Sequence, residues 1–421
     1  MRIKRMLVLA LGATLFAARP VLAAKTSADN TYEQLKLLVD ILGYVQDNYV
    51  DEVDSRKLIY GAASGMTRIL DPYSQFLEPE MHREMKTETE GQFGGVGLRL
   101  NMKDEWLTVL TPMPGSPAYR LGMLPNDRIV EIDDSSAKDM DMSDVLKRLH
   151  GAPGTKVKLK VLRGSDGAGE SAWKSRDFEI VRELVKIESV VWRKLDEGVG
   201  YVRITEFSAK TVSDLSDVLR RLKKEGVGSL VLDLRNNPGG LLSAAVETAS
   251  LFLGDGKLIV YTQGRTVANR QDFTSGAKAP YAETALAVLI NGGSASGAEI
   301  VAGAMQDHKR AVLVGQRSYG KASVQSLIPL PDGSGLRLSV ARYYTPSGRS
   351  IHRDEKHKTG GISPDIAVEI SPEAEGNLYA QWETIYAKDK KPRSAVKPED
   401  AVRDEALDRA VELLKTAPNV P

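Results

Sequence analysis

The chain contains no cysteine among its 421 residues. Disulfides, cysteine-ligated zinc and a lipid-modified cysteine are therefore excluded, and nothing is left to oxidise in that way. Histidine is scarce as well: His82, His150, His308, His352 and His357 are all there is. His352 and His357 have no metal-binding context and His308 sits among charged neighbours, Asp307-His308-Lys309-Arg310, so neither a metal nor another cofactor is expected. No sign of charge prevails. Lys+Arg number 57 against 56 Asp+Glu, a net charge of +1, which implies no polyanion and hence no nucleic-acid partner. Past the first 24 residues, no run approaches the roughly 18 apolar residues that a membrane span needs.

The apolar share, 42%, is enough for sizeable cores, and the length suggests about three domains. The N-terminus carries a compartment signal. Met1-Arg2-Ile3-Lys4-Arg5 is a basic start, Met6 to Ala18 an apolar stretch of signal-peptide length, and Val21-Leu22-Ala23 a small-x-small cleavage site. Residues 1–24 read as a signal peptide, with an uncleaved membrane anchor as the alternative. Either way the body is expected on the exported side, the periplasm where the cell has an outer membrane.

Residues 25–89 read as helical, with Tyr32, Leu35, Leu38, Ile41, Leu42 and Val45 at helical spacing and a second periodic stretch from Leu58 to Leu70. Asp71-Pro72-Tyr73-Ser74 is a turn signal. Residues 90–184 change character to glycine-rich turns, short strands and two short helices. From 185 to 370 strands and helices alternate, which predicts an α/β core with parallel pairing. Residues 371–421 are charged, with a helix from about Asp400 to Lys415, and read as a solvated tail or as part of a contact between copies.

The chemistry concentrates between Leu289 and Gln325. An apolar strand, Ala285 to Ile290, breaks into Asn291-Gly292-Gly293-Ser294-Ala295-Ser296, and a helix from about Gly297 to Met305 follows. A serine there sits where free N–H groups and the helix dipole favour developing negative charge. A second strand, Ala311 to Val314, delivers Lys321 between Gly320 and Ala322. Small neighbours allow the amine to be walled in. Lowering a lysine from about 10.4 to about 7–8 costs roughly 3–5 kcal/mol of differential solvation. Serine and desolvated lysine make a nucleophile and its base. Two readings compete. Gly315 to Ala322 nearly matches a phosphate loop, but Ala322 has no hydroxyl for magnesium and a strand-like run follows instead of a helix. The serines also serve as plain helix caps. Ser296 with His308 is the runner-up pair. Upstream, Asp233-Leu234-Arg235-Asn236-Asn237-Pro238-Gly239-Gly240 closes one strand and opens a helix, with glycines that admit a ligand close to backbone N–H groups.

Two resemblances follow. Residues 90–184, with Gly95-Val96-Gly97-Leu98 and the run from Asn126 to Asp133, resemble a PDZ domain, in which the loop Gly95 to Leu98 binds a peptide C-terminal carboxylate while the peptide adds a strand. DLRNNPGG, NGGSASGAEI, YGKASVQ and RYYTPSGRSI, in that order, resemble the carboxyl-terminal processing protease family, exported serine peptidases with a PDZ domain ahead of a Ser-Lys core. That likeness implies Ser296 as nucleophile, Lys321 as base, Gln325 as the residue orienting the lysine, and an oxyanion hole from Gly297 with Gly239 and Gly240. It implies an α/β fold: a crotonase- or ClpP-like spiral of βαβ units with an inserted PDZ domain and helical N- and C-terminal segments. It implies unfolded or C-terminally exposed protein substrates, an adaptor protein that delivers them, and further copies of the chain as partners. Three departures stand out: Gly297 where the family often has alanine, Lys321-Ala322-Ser323 for Lys-Gly-Ser, and His150-Gly151 for Arg-Gly. Glu299 reads as a structural partner at the helix start. A nucleotide-binding protein and a catalytically inactive PDZ scaffold are the other function classes, set back by Ala322 and by the intact Ser296, Lys321 and Gln325.

Overall fold

The computed structural model describes residues 27–416 with gaps, the longest at 165–172 and 382–401, so the expected signal peptide lies outside the described residues. The chain divides into two units, Met1–Gly65 and Met66–Pro421. In the first, α1 (Ser27–Asn48) bears the apolar periodicity that the sequence predicts, yet Tyr32, Leu35, Leu38 and Ile41 stay exposed. Helix α2 (Ser55–Arg68) runs across the division.

The second unit begins with a tight turn. Asp71 accepts hydrogen bonds from the Tyr73 and Ser74 amides, both 2.8 Å, and from Ser74 Oγ at 2.7 Å. Strand β1 (Gln75–Leu77) and helix α3 (Pro79–Thr89) follow. The region expected to be all helical therefore contains a strand, because Phe76 and Leu77 are buried side by side.

The glycine-rich region folds around a sheet of its own. Its elements are β2 (Gln92–Gly95), β3 (Leu98–Lys103), β4 (Trp106–Pro112), α4 (Pro117–Arg120), β5 (Arg128–Ile132), β6 (Ser135–Ser136), α5 (Met142–Leu149), β7 (Lys156–Arg163), β8 (Lys174–Val181) and β9 (Glu183–Lys186). The sheet runs β3-β4-β5-β7-β8, with β6 on β5, and β2 pairs separately with β9. Leu107, Ile129, Leu159, Val161 and Ile180 meet Val145 and Leu149 of α5 in its core. Asp127, fully buried, receives both Nε and a terminal nitrogen of Arg163 at 2.6 Å, so this buried charge is paired in a fork.

The alternating region holds β10 (Val190–Lys194), β11 (Val199–Ile204), α6 (Thr211–Lys224), β12 (Ser229–Asp233), α7 (Leu242–Ser250), β13 (Leu258–Gln263), β14 (Arg270–Thr274), β15 (Ala285–Ile290), α8 (Gly297–Asp307), β16 (Val312–Gly315), β17 (Ser323–Pro329), β18 (Gly335–Tyr344) and β19 (Ile366–Ala367). One sheet runs β10-β11-β12-β15-β16-β19 and is parallel except for β10. The second runs β1-β18-β13-β14 with β17 beside β18, all antiparallel. The parallel strands are buried on both faces, as their uninterrupted apolar runs require. Val202, Leu230, Leu232 and Val288 face residues of α6, α7 and α8. Tyr201, Val231, Ala287 and Val314 face the other way, onto Leu407, Ala410 and Leu414 of α9 (Glu405–Thr416).

That last packing corrects the solvated-tail reading. Its apolar stripe closes the open face of the sheet, and Arg235 fastens it. The Arg235 guanidinium lies between Asp233 and Asp404, bonding Asp404 through two nitrogens at 2.8 and 2.9 Å. Asp404 also accepts from the Leu407 amide, capping the helix it introduces.

Candidate active site

Strand β15 ends at Ile290, and the turn after it is locked by side chains. Ser294 is fully buried; its hydroxyl donates to the Leu234 carbonyl at 2.8 Å and accepts from the Asn291 amide at 3.0 Å. It is thereby committed to structure. Ser296, two residues on, differs. It stands at the N-terminus of α8 with φ 55° and ψ −113°, a left-handed conformation that costs about 1–3 kcal/mol for a side chain other than glycine. Its Oγ lies 2.7 Å from another hydroxyl, Tyr343 Oη.

The amides around Ser296 Oγ sort themselves. Gly297 N–H has no acceptor among the described residues, and the same holds for Gly240 N–H. Gly239 N–H is already donated to Asn237 Oδ1 at 2.8 Å, so in this structure it is not the free donor that the sequence suggested. Gly239 has another use: at φ 101°, a Cβ there would come within 2.9 Å of Ser296 Oγ. The glycine after the serine also has a packing reason. A Cβ on Gly297 would stand 2.9 Å from the Phe207 ring, so an alanine at this position would collide.

Lys321 arrives from β16 through a loop that offers its N–H groups to one buried carboxylate. Gly320 N, at 2.6 Å, and Lys321 N, at 2.9 Å, both donate to Glu299, as does Ser318 Oγ at 2.5 Å. A phosphate loop would need those amides for its anion, and here a protein carboxylate holds them. The strand β17 that follows, in place of a helix, removes the rest of that reading.

The Lys321 amine is half-buried. Its Nζ lies 4.9 Å from the centroid of the Tyr73 ring, within cation–π range. Burial depresses its pKa, and the Arg337 guanidinium adds to the fall, while the Glu299 carboxylate opposes it. Arg337 is anchored close by, donating from Nε to the Tyr73 carbonyl at 3.0 Å. Tyr73 has its own pKa pushed up to about 12, by burial and by the neighbouring Tyr319 hydroxyl. Gln325 lies on β17 just after a bulge, opposite Ser339, and its amide nitrogen is buried with no hydrogen-bond partner among the described residues.

The structure thus gathers Ser296, Gly297, Gly239 and Gly240 at one place and brings the Lys321 backbone to it. The side chains of serine and lysine, however, are engaged by Tyr343 and Tyr73. Both tyrosines lie in motifs noticed in the sequence, yet neither had a role assigned. His308 takes no part: it caps the far end of α8, roughly 18 Å along the helix, and its Nε2 lies 2.7 Å from the Leu258 carbonyl oxygen.

In the smaller sheet, the loop Gly95 to Leu98 turns at Gly97 with φ 76°. Its carbonyls point inward: Val96 O accepts from the Ala118 amide, and Gly97 O from the Met113 amide and Ser116 Oγ. Strand β3, which begins at Leu98, is an edge strand. His150 packs its ring on Phe93, 4.9 Å between centroids, and burial lowers its pKa.

A single hydrogen bond holds Ser296 Oγ on Tyr343. Such a bond contributes about 1 kcal/mol, or roughly a fivefold bias between two rotamers. Tyr343→Phe, which keeps the ring, is expected to raise the rate of covalent labelling of Ser296 by a fluorophosphonate about 3- to 10-fold. An unchanged or slower rate shows that the hydroxyl does not restrain the serine.

Three comparisons place this geometry among known proteins. Residues 198–368 match the model of peptidase family S41, residues 108–163 a PDZ domain, and residues 14–81 the N-terminal domain of the activating protease CtpB. The chain is 38% identical, over 87% of its length and 83% of the relative's, to a carboxy-terminal-processing protease of Bartonella bacilliformis. It is 35% identical, over 80% of its length and 81% of the relative's, to a carboxyl-terminal-processing protease of Synechocystis sp.. Among solved structures it is similar to the photosystem II D1 C-terminal processing protease, with 31% identity, a TM-score of 0.52, and coverage of 86% of this chain and 99% of the other. With a relative at this identity spanning most of both chains, and with the peptidase and PDZ matches in the order that the fold displays, the chain belongs to the carboxyl-terminal processing proteases of peptidase family S41.

Proposed function

We propose that this serine protease works by a Ser-Lys dyad, with Ser296 as nucleophile, Lys321 as general base and Gln325 orienting the lysine. The observation that carries this reading is the Lys321 amine: half-buried, beside a second cation, and carried on a loop that shares one carboxylate with the serine turn. In this mechanism neutral Lys321 Nζ accepts the Ser296 hydroxyl proton as Oγ attacks the scissile carbonyl. The developing oxyanion is met by the N–H groups of Gly297 and Gly240. The lysine ammonium then protonates the leaving amine, and water released onto the acyl-enzyme completes hydrolysis, with the same lysine as base. The Gln325 carbonyl accepts from the lysine amine and aims its lone pair at the serine.

We further propose that the PDZ domain selects substrates by their C-termini. Backbone N–H groups of the loop Gly95 to Leu98 take the carboxylate, and the free edge of β3 takes the tail as an added strand. An unfolded tail can add in this way and a folded one cannot, so unfolded or C-terminally exposed proteins are the expected substrates, brought by an adaptor where one exists. Export to the periplasm is proposed from the basic and apolar start, residues 1–24, and N-terminal sequencing of protein from a periplasmic fraction checks it. A second copy of the chain is proposed as the cover for the exposed stripe of α1. Leu35→Asp is expected to lower the mass found by sedimentation; an unchanged mass puts the contact elsewhere.

Cleavage of an unfolded protein such as casein is expected to vanish in both Ser296→Ala and Lys321→Ala while circular dichroism stays as in the wild type. Substantial activity left in Lys321→Ala overturns the dyad. In the same assay, a peptide with an amidated C-terminus is expected to be cut more slowly than its free-acid twin; equal rates remove the carboxylate-reading role.

The pH profile has a defined sign. A base with a depressed pKa is active above that pKa, so the rate rises with pH and levels off below the ordinary lysine value of about 10.4. Arg337 is one cause of the depression. Arg337→Met is therefore expected to move the rising limb of kcat/KM to higher pH, and a limb that stays in place shows that this charge does not act on the base.

A further inference from the structure

The strongest unassigned group near the site is the carboxylate of Glu299. It is fully buried, on the first turn of α8, and each of its oxygens has two donors. Oε1 accepts from Ser318 Oγ at 2.5 Å and Gly320 N at 2.6 Å. Oε2 accepts from Ser296 N and from Lys321 N, both at 2.9 Å. One oxygen atom therefore binds the backbone amides of the two dyad residues at once.

We propose that Glu299 is the positioning residue of the dyad: its carboxylate sets the distance between the serine and lysine backbones, so that the site is assembled at the level of the main chain and closes by side-chain rotation alone. This rests on the Ser-Lys reading above. The geometry supports it in three ways. The four contacts are all donors, which an ionised carboxylate satisfies in full and a protonated one does not. Ser318 in turn accepts from the Ile362 amide at 2.6 Å, so the loop carrying the base is held from behind as well. And only the side chains of Ser296 and Lys321 are engaged elsewhere, the one on Tyr343 and the other on Tyr73, while their amides are already joined. Capping alone would need only the bond to Ser296 N. The three bonds to the base loop, made by residues 19 to 22 positions away, have no part in starting a helix.

Glu299→Gln separates the two roles. Its amide NH2 cannot accept, so at least one buried N–H, that of Gly320 or those of Ser296 and Lys321, loses its partner, and the charge is gone. The expected result is a fall in kcat of about 10²-fold or more per folded molecule, with KM little changed, as for loss of a positioning interaction. The pH profile gives a second readout. Lys321 is faced by Glu299 from α8, by Arg337 from β18 and by the neutral ring of Tyr73, with Tyr319 behind it. Glu299 is the group that favours the ammonium. Removing its charge should shift the acid limb of kcat/KM to lower pH, opposite to the Arg337 variant. A helix cap would instead lower the melting temperature and leave both kcat per folded molecule and the limb as in the wild type, and that outcome overturns the proposal. If Glu299→Gln does not fold, Ser318→Ala decides: it removes one donor without touching either dyad residue, and a lower kcat at constant KM supports the proposal while a wild-type kcat overturns it. Fluorophosphonate labelling of the unaltered protein keeps the two levels apart. If Ser296 is not labelled there, the dyad reading has failed; if it is labelled and both variants turn over like the wild type, only the role of Glu299 has.

Discussion

A charge kept out of water organises this catalytic core. Burying a carboxylate costs several kcal/mol unless hydrogen bonds replace its hydration. For Glu299 burial raises the pKa, and four donors and the dipole of the α8 N-terminus act against that rise. Because both oxygens are saturated, any shift of the nucleophile turn or of the base loop leaves a buried N–H unpaired, at a cost of about 1–3 kcal/mol. The strained backbone of Ser296 persists for the same reason. Its amide is fixed by Glu299 on one side, and Ala295 N is fixed by the Asn237 carbonyl on the other, at 2.9 Å. The loop after β12 and the loop after β15 thus form one rigid floor, on which Gly239 lets the main chain pass close beneath the serine.

Against that floor, strand β18 supplies most of what is adjustable. Arg337 depresses the lysine, Ser339 lies opposite Gln325, and Tyr343 reaches the serine. The same strand pairs with β1, which follows the turn carrying Tyr73, and the Tyr343 amide donates to Ala322 O directly after the base. Residues that restrain the two reacting side chains therefore hang on a single strand and its neighbour. A device that moves this edge by a fraction of a side chain's length acts on nucleophile and base together, without disturbing the amides that Glu299 holds.

The proposed nucleophile and base could be picked out of the sequence because the patterns that suggest them are local. A strand breaking into small residues before a helix, and a lysine between glycine and alanine, are patterns within a few residues. The α/β alternation and the small sheet with its glycine-rich loop were legible for the same reason. What escaped notice depends on contacts distant in sequence. Tyr343 meets Ser296 across 47 positions, and Arg337 meets Tyr73 across 264. Strand β1 was hidden inside a helical stretch because three residues, Gln75 to Leu77, are too few to carry a period; only pairing with β18 makes them a strand. The C-terminal helix could be read as solvated because charged residues are interspersed along it, and the sheet face that takes its stripe lies far earlier in the chain, from Tyr201 to Val314. That the Gly239 amide is engaged was not visible in the sequence, because it depends on Asn237, two residues before it, turning its side chain back onto that amide. Gly297 looked like a loosening of the turn and is instead the room that Phe207 requires.

The lysine brings these threads together. Three influences act on its proton: burial and Arg337 remove it, and Glu299 retains it. The ring of Tyr73 adds a fourth that depends on the charge itself. An aromatic face attracts an ammonium by about 0.5–2 kcal/mol and has no such hold on a neutral amine. The position over Tyr73 is thus a position for the protonated lysine, in which it is no base. Losing the proton weakens the hold of the ring at the same moment as it creates the lone pair that Ser296 needs. A histidine, with an ordinary pKa of about 6.5, is largely neutral at physiological pH without such help. A lysine becomes a base only where the fold makes it one: burial and Arg337 lower its pKa here, while Glu299, which joins the two main chains, opposes them.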